Sequence, residues 1–496
     1  MAYFKNKLLI NNYIRLLLLF SLSCIIKWYY LAYRNYYITF SDTLIPAYFS
    51  ARQYTIIEIL KRLFIDFNYF FMPDSNRPFV TVFLYVISFK LGGLHPHTPF
   101  LLGIFFSSLL IPLYYLIIKK LLGTEVALSS SLSLAFLTNY IQQGLALTGQ
   151  LTGIIFLALS LLFAVNYYKS RQLWRLYLSG FFLTLSSLCR YEYALFVPFF
   201  ILYNFVFDKR TRVYLRIVYW AICLLGITYI CLGNFNFNGS PFAIIHIQNT
   251  NARIVEHIPK LGFLKAILWC WDMLSMSGGQ LILMMGLGGV CFAIKKNKTS
   301  SSILISPFFL YLGYLFYKLA SGTMYSDINY FLIFLLFIIP MAFWFLRSVS
   351  LVIIRNSIYP NISLAIMTGL LIYQFHNANL IIQDHRLWYP ERLIRLTEDL
   401  RTIPSNYPLY IVVDDRFLSA SQDQDMLFYL KRDPIDYLFL LEGEIKIKEK
   451  SFYLLIAEDR ISQVVGNKKI LRDYNHLGYT GLSLYKITSP EDNGST

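Results

Sequence analysis

The stretch Phe100-Leu-Leu-Gly-Ile-Phe-Phe-Ser-Ser-Leu-Leu-Ile-Pro-Leu-Tyr-Tyr-Leu-Ile-Ile118, closed by Lys119-Lys120, decides the class of fold. Wound as an α-helix at ~1.5 Å per residue, it reaches across ~30 Å of hydrocarbon and leaves its two terminal lysines in water. The pattern returns near residues 125–143, 150–168, 174–189, 192–207, 213–232, 275–294, 302–320, 328–346 and 350–374. An earlier run, Leu16 to Ile26, continues through Lys27 with no small-residue cleavage site, which predicts an uncleaved signal-anchor helix. The expectation is a polytopic α-helical membrane protein with about eleven transmembrane helices.

Composition points the same way. With 56% hydrophobic and 18% aromatic residues against 15% charged, a chain of 496 residues cannot hide its apolar surface from water, so lipid must cover much of it. The net charge of +16 does not argue for nucleic acid, because the basic residues fall in short clusters between apolar runs. The six cysteines lie within or beside apolar segments and form no CxxC pair, so they read as small core residues.

Basic clusters set the orientation, since Lys and Arg beside a helix resist translocation. With a cytoplasmic N-terminus, the inner face receives Lys5/Lys7/Arg15, Lys119/Lys120, Lys169/Arg171/Arg175, Lys209/Arg210/Arg212/Arg216, Lys295/Lys296/Lys298 and Arg347/Arg355. The outer loops beyond residue 97 hold far fewer, among them Arg190, Arg253 and Lys260. This register places the C-terminal region outside the cytoplasm, and the compact loops favour a bacterial inner membrane with that region in the periplasm.

Two outer segments are too long to be plain connections. In residues 34–97, Phe49, Ile56, Ile57, Leu60, Leu63, Phe64 and Phe67 recur at helical spacing opposite Arg52, Glu58, Lys61, Arg62 and Asp66, which predicts an amphipathic surface helix. The apolar piece Phe79 to Leu91 follows Arg77-Pro78 and is too short to span comfortably, so it reads as a second juxtamembrane helix. Residues 233–274 carry Asn234, Asn236, Asn238, His246, Asn249, Asn251, His257 and Asp272, a polar content suited to a lid. His246 and His257 read as loop histidines, whereas Asp272, in an apolar stretch, must face a cavity or surface water.

The pattern changes near residue 379, dividing the chain into a membrane domain, 1–378, and a small α/β domain, 379–496. A helix over Glu391–Arg401 precedes the strand Leu409-Tyr-Ile-Val-Val, ended by Asp414-Asp415, and Phe452 to Ala457 is a second buried strand. Asp414 and Asp415 read as loop carboxylates rather than metal ligands. The chain contains neither GxGxxG nor GxxxxGK[ST], so nucleotide-driven chemistry has no support.

The order of these features resembles the GT-C superfamily of glycosyltransferases, more narrowly the relatives of protein O-mannosyltransferases and of the lipid A aminoarabinose transferase (glycosyltransferase family 39-like). Four stretches carry the resemblance across residues 8–375. Phe40-Ser41-Asp42-Thr43 stands where relatives show an Asp-Glu pair, with Thr43 in place of the second acid. Asp74-Ser-Asn-Arg77-Pro78 precedes an apolar helix, much as Lys-Pro or His-Pro-Pro does in relatives. Leu185-Ser-Ser-Leu-Cys-Arg190-Tyr191-Glu192 is similar to a turn between two short helices where relatives place a basic residue. Tyr325-Ser-Asp327-Ile-Asn329-Tyr330 is similar to a late Arg-Tyr stretch, with Asn329 at the Arg position. The resemblance implies an inverting transfer of sugar from a polyprenyl-phosphate donor to a lipid, glycan or protein acceptor at the outer face. Donor contacts would come from Arg190, Glu192, Arg77, Asp74, Tyr325 and Asn329. No cofactor is expected, and the missing second carboxylate argues against a divalent metal.

The chemistry stands on the residues as well. Displacing a polyprenyl phosphate from an anomeric carbon needs a base for the acceptor hydroxyl and a cation for the departing phosphate. Asp42 suits the first role and Arg190 the second, its fork matching phosphate oxygens. Plainer readings compete: Asp42 as a helix cap, Arg190 with Glu192 as an ion pair, Arg77 as a headgroup contact. A transporter or flippase of lipid-linked saccharides is the alternative class, although no internal repeat of the transporter kind is visible.

Overall fold

The computed structural model describes residues 2–33, 51, 54–61, 79–93, 98–146, 148–208, 211–241, 262–296, 298–321 and 332–353. Beyond these it describes 369, 372–373, 375–376, 395–396, 399–404, 408–412, 437–440, 451–464, 467–475 and 481–488. The helices of the first part are α1 (Ala2–Tyr33), α2 (Ile56–Lys61), α3 (Phe79–Gly92), α4 (Thr98–Leu122), α5 (Thr124–Ala135), α6 (Thr138–Ala146) and α7 (Gly149–Ser170). They are followed by α8 (Leu173–Ser187), a 3-10 turn (Tyr191–Leu195), α9 (Phe196–Phe207) and α10 (Val213–Asn238). The last four are α11 (Phe263–Gly278), α12 (Gln280–Lys296), α13 (Lys298–Ala320) and α14 (Leu332–Ile353).

Apolar side chains turn outward along whole helices. Tyr13, Leu17, Leu18, Ile25 and Trp28 of α1 are exposed, as are Val213, Tyr214, Ile217, Leu225, Leu232 and Phe235 of α10. Continuous bands of this kind are stable only against an apolar solvent. Helix α14 shows the opposite pattern, since Leu332 through Phe343 are buried and form the centre of the bundle. Among the described residues five helices are long and apolar enough to cross a membrane: Asn12–Leu31, Phe100–Leu122, Gly149–Ser170, Val213–Phe235 and Leu332–Val349. The chain is an integral membrane protein.

Polar contacts gather the basic clusters at one end of this bundle. Lys119 Nζ donates to Asn12 Oδ1 at 2.6 Å, and Lys169 Nζ to the Lys120 carbonyl at 3.0 Å. Arg347 Nε pairs with Glu125 Oε2 at 2.9 Å. Asp208, fully buried, accepts from Arg171 Nη1 at 3.0 Å, from the Tyr167 hydroxyl and from Asn204 Nδ2, which fastens the end of α7 to the end of α9. Arg171 caps α7 in the left-handed region, with φ of 58°, which aims its side chain back at Asp208. Removing the carboxylate takes the ion-pair partner from Arg171 and one acceptor each from Tyr167 and Asn204, so Asp208→Ala is expected to cost about 2–3 kcal/mol of stability. A thermal melt of the detergent-solubilised variant checks this, and an unchanged midpoint would contradict the role given to Asp208.

Several helix boundaries differ from the sequence expectation. The segment 125–143 is two helices, broken at Phe136-Leu137 just before the polar pair Thr138-Asn139. The segment 275–294 is cut at Gly279, whose φ of 81° ends α11 and lets α12 start in a new direction. Helix α10 runs on to Asn238, so Asn234 belongs to a helix rather than to an outer loop, and α11 already carries Asp272 on an exposed face. Residues 79–92 are helical as expected, and the 14 residues of α3 extend about 21 Å, short of a bilayer's ~30 Å. In α2, Thr55 and Glu58 form a capping box, with Thr55 N to Glu58 Oε2 at 2.7 Å and Glu58 N to Thr55 Oγ1 at 3.2 Å. The remainder of the amphipathic pattern and the last apolar segment, 350–374, lie largely outside the described residues.

The chain divides into two units, Met1–Tyr36 with Ser50–Gln383 and Tyr37–Phe49 with Asp384–Thr496. The second holds a five-stranded mixed sheet of order β2-β1-β3-β5-β4, from β1 (Leu409–Val412), β2 (Tyr437–Leu440), β3 (Ser451–Ala457), β4 (Asn467–Asp473) and β5 (Leu482–Thr488). Strand β1 runs parallel to β2 and β3, whereas β5 is antiparallel to β3 and β4. Both expected strands, at Leu409 and Phe452, are present. Tyr410, Val412, Phe452, Leu454, Ile456, Tyr485 and Ile487 pack on one face, while β4 is an exposed edge protected by Lys468, Lys469 and Arg472.

Candidate functional site

The described candidates converge at the end of the bundle opposite the basic clusters. Helix α8 stops at Ser187 because the chain leaves helical geometry at Leu188-Cys189-Arg190, and Arg190, in extended conformation, opens the 3-10 turn. Arg190 and Glu192 are both mostly buried, at 16% and 12% side-chain exposure. Their Nε to Oε2 separation is 3.8 Å, an ion pair beyond hydrogen-bond reach. Glu192 therefore tempers the charge of Arg190 without a bidentate clamp.

Two other elements meet this turn. The start of α7 lies directly against it: a Cβ placed on Gly149 would come within 3.1 Å of the Cys189 carbonyl and 3.6 Å of Arg190 Cδ. Glycine is what allows that approach. The Tyr193 hydroxyl donates to the Gln150 carbonyl at 3.0 Å, tying the far side of the turn to the same helix. From the other direction, Val80 N donates to the Leu188 carbonyl at 3.3 Å. The first turn of α3, which follows Arg77-Pro78 in the chain, is thereby docked two residues before Arg190.

Helix α7 is capped by Thr148, whose Oγ1 accepts from Leu151 N at 3.3 Å. Its first residue, Gly149, lies against the Arg190 turn, which sets the guanidinium stem beside the positive end of a helix. Tyr311 of α13 closes the apolar side, stacked on Phe196 at 5.8 Å and packed against Tyr193 at 6.3 Å between ring centroids.

Asp42, Asp74, Arg77, Tyr325 and Asn329 lie outside the described residues, as do His246, His257, Asp414 and Asp415. Of the predicted site residues the structure thus brings Arg190 and Glu192 together. Sequence reading passed over Gly149, Gln150 and Tyr193, which carry no charge, and Lys27, which interrupts an apolar run and was the one available signal.

Residues 76–232 match the family model described as dolichyl-phosphate-mannose-protein mannosyltransferase. The structure superposes on ArnT from Cupriavidus metallidurans, a crystal structure with bound undecaprenyl phosphate, at a TM-score of 0.63 and 11% identity, covering 95% of this chain and 97% of that one. The fold is that of ArnT. The apo form of the same ArnT gives a TM-score of 0.60 over the same shares of the two chains at 11% identity. The Archaeoglobus fulgidus oligosaccharyltransferase, solved with Zn and sulfate, superposes at 0.52 and 12% identity over 84% of this chain and 62% of that one. No curated protein matches the chain in sequence. The residues that match the family model include α3, the start of α7 and the Arg190 turn, the three elements that meet at the candidate site.

Proposed function

We propose that the chain is an inverting glycosyltransferase that moves a sugar from a polyprenyl-phosphate donor to a lipid, glycan or protein acceptor at the outer face of a bacterial inner membrane. The observation that carries this reading is the mostly buried Arg190, seated where α3, α7 and the 3-10 turn meet, in a fold whose solved neighbour holds undecaprenyl phosphate. Asp42 takes the proton from the acceptor hydroxyl, whose oxygen attacks the anomeric carbon from the face opposite the phosphate. The bond between that carbon and the phosphate oxygen breaks, and the polyprenyl phosphate leaves with both electrons. Arg190 and the N-terminus of α7 stabilise the charge gathering on it. Asp74, Arg77, Tyr325 and Asn329 complete the donor site in this reading, with Glu192 orienting Arg190. The reaction needs no resident metal, since the cationic side chain and helix end serve the leaving group.

Binding of undecaprenyl phosphate to the full chain in lipid nanodiscs tests the reading. Saturable binding that weakens in Arg190→Ala supports it, and absence of binding removes it.

The same reading includes about eleven crossings and an extracytoplasmic residue 379–496 domain. A reporter active only in the cytoplasm, fused after Thr496, is expected to stay silent in cells, and a strong signal would invert the topology.

A further inference from the structure

Lys27 lies in the apolar span Asn12–Leu31 and is fully buried. A cation in the membrane interior is costly and persists where its surroundings use it. Its Nζ donates to Ser23 Oγ at 2.7 Å and sits 4.1 Å from the centre of the Tyr140 ring. Tyr140 belongs to α6, and its hydroxyl donates to the Ser107 carbonyl of α4. Gly144, one turn further along α6, rests on the lysine stem, where a Cβ would come within 2.5 Å of Lys27 Cε and 2.8 Å of Ser107 Oγ. The ion pairs of the described residues do not include Lys27, so the aromatic face and the serine are what hold its ammonium.

Helix α6 leads straight into the candidate site. Gln143, beside Gly144, accepts from the Thr148 hydroxyl through its side chain and from Thr148 N through its carbonyl, at 3.4 Å for the latter. Thr148 caps α7, and Gly149 and Gln150 then contact Arg190 and Tyr193. We propose that Lys27 is a positioning residue that holds α6 in place and, through Thr148 and Gly149, sets the Arg190 turn against α7. Its importance for the donor rests on the reading of Arg190 given above, but the positioning itself does not.

The test uses the full chain in nanodiscs. Lys27→Met keeps most of the volume and removes the charge, so the melting temperature is expected to hold or rise, because a buried charge exchanged for an apolar isostere is seldom destabilising. Amide exchange over residues 138–152 and 186–195 is expected to quicken by about tenfold while the middle of α7 stays protected. Undecaprenyl phosphate binding is expected to weaken by about tenfold, and Lys27→Met should add nothing further in an Arg190→Ala background. Unchanged exchange in both segments overturns the proposal, as does uniform quickening along α4 and α7 with a lowered melting temperature. Should Lys27→Met fail to fold, Tyr140→Leu removes the aromatic face beneath the ammonium and should quicken the same segments, with unchanged exchange again overturning the proposal. Altered exchange in a protein whose wild type binds no undecaprenyl phosphate would uphold the positioning role and remove the donor reading instead.

Discussion

Asp42→Asn is expected to lower sugar transfer by roughly 10²- to 10⁴-fold while leaving folding and donor binding in place, because the amide keeps the shape of the carboxylate and cannot take a proton. The expectation comes from position. Asp42 is the first acidic residue of the chain, set a short aromatic stretch after α1, and a lipid-borne donor presents its sugar near the membrane surface. Phe40, Leu44, Ile45 and Pro46 flank it with apolar groups, which raise the basicity of a carboxylate when they exclude water. Single-turnover transfer from a preloaded donor checks it directly. A purified Asp42→Asn protein working near the wild-type rate would leave Asp42 a helix cap.

Arg190→Ala is expected to weaken the use of donor by about 10- to 100-fold, the effect of losing a charge-assisted contact to the departing phosphate. Arg190→Lys should recover only part, since an ammonium keeps the charge and loses the fork. The 3.8 Å pair with Glu192 supplies the control. If Arg190 served only to neutralise Glu192, the double variant Arg190→Ala with Glu192→Gln would restore activity, because no buried charge would be left unpaired. A phosphate contact predicts that the double variant stays impaired, and donor titrations of the four proteins separate the two.

Much of the candidate site was legible as a list of residues and little of it as a site. The tract Leu185–Glu192 shows a short apolar helix ending at a basic residue, and the structure has that turn where the sequence puts it. What stands against Arg190 was not legible. Gly149 and Gln150 lie some forty positions earlier in the chain, and Val80 more than a hundred, and their contacts run through a missing Cβ and backbone carbonyls that leave no chemical trace in a sequence. Lys27 was visible as a break in an apolar run, but a lysine near the end of a span reads as a side chain reaching for water. Only the packing of α1 against Ser107, Tyr140 and Gly144 shows it buried instead.

By itself, then, the sequence determined the solvent and the type of element. Helical apolar runs closed by basic residues dictate a membrane bundle, and the short apolar stretches at Leu409 and Phe452 dictate buried strands, because hydrophobic periodicity and charge act locally along the chain. Tertiary structure alone decided that 125–143 breaks into two helices, that α10 continues to Asn238, and that Lys27 of α1 is buried against α6, whose Gln143 accepts from the cap of α7. Those outcomes depend on close approach between helices distant in sequence, where steric fit and the pairing of buried polar groups choose among local conformations of nearly equal energy.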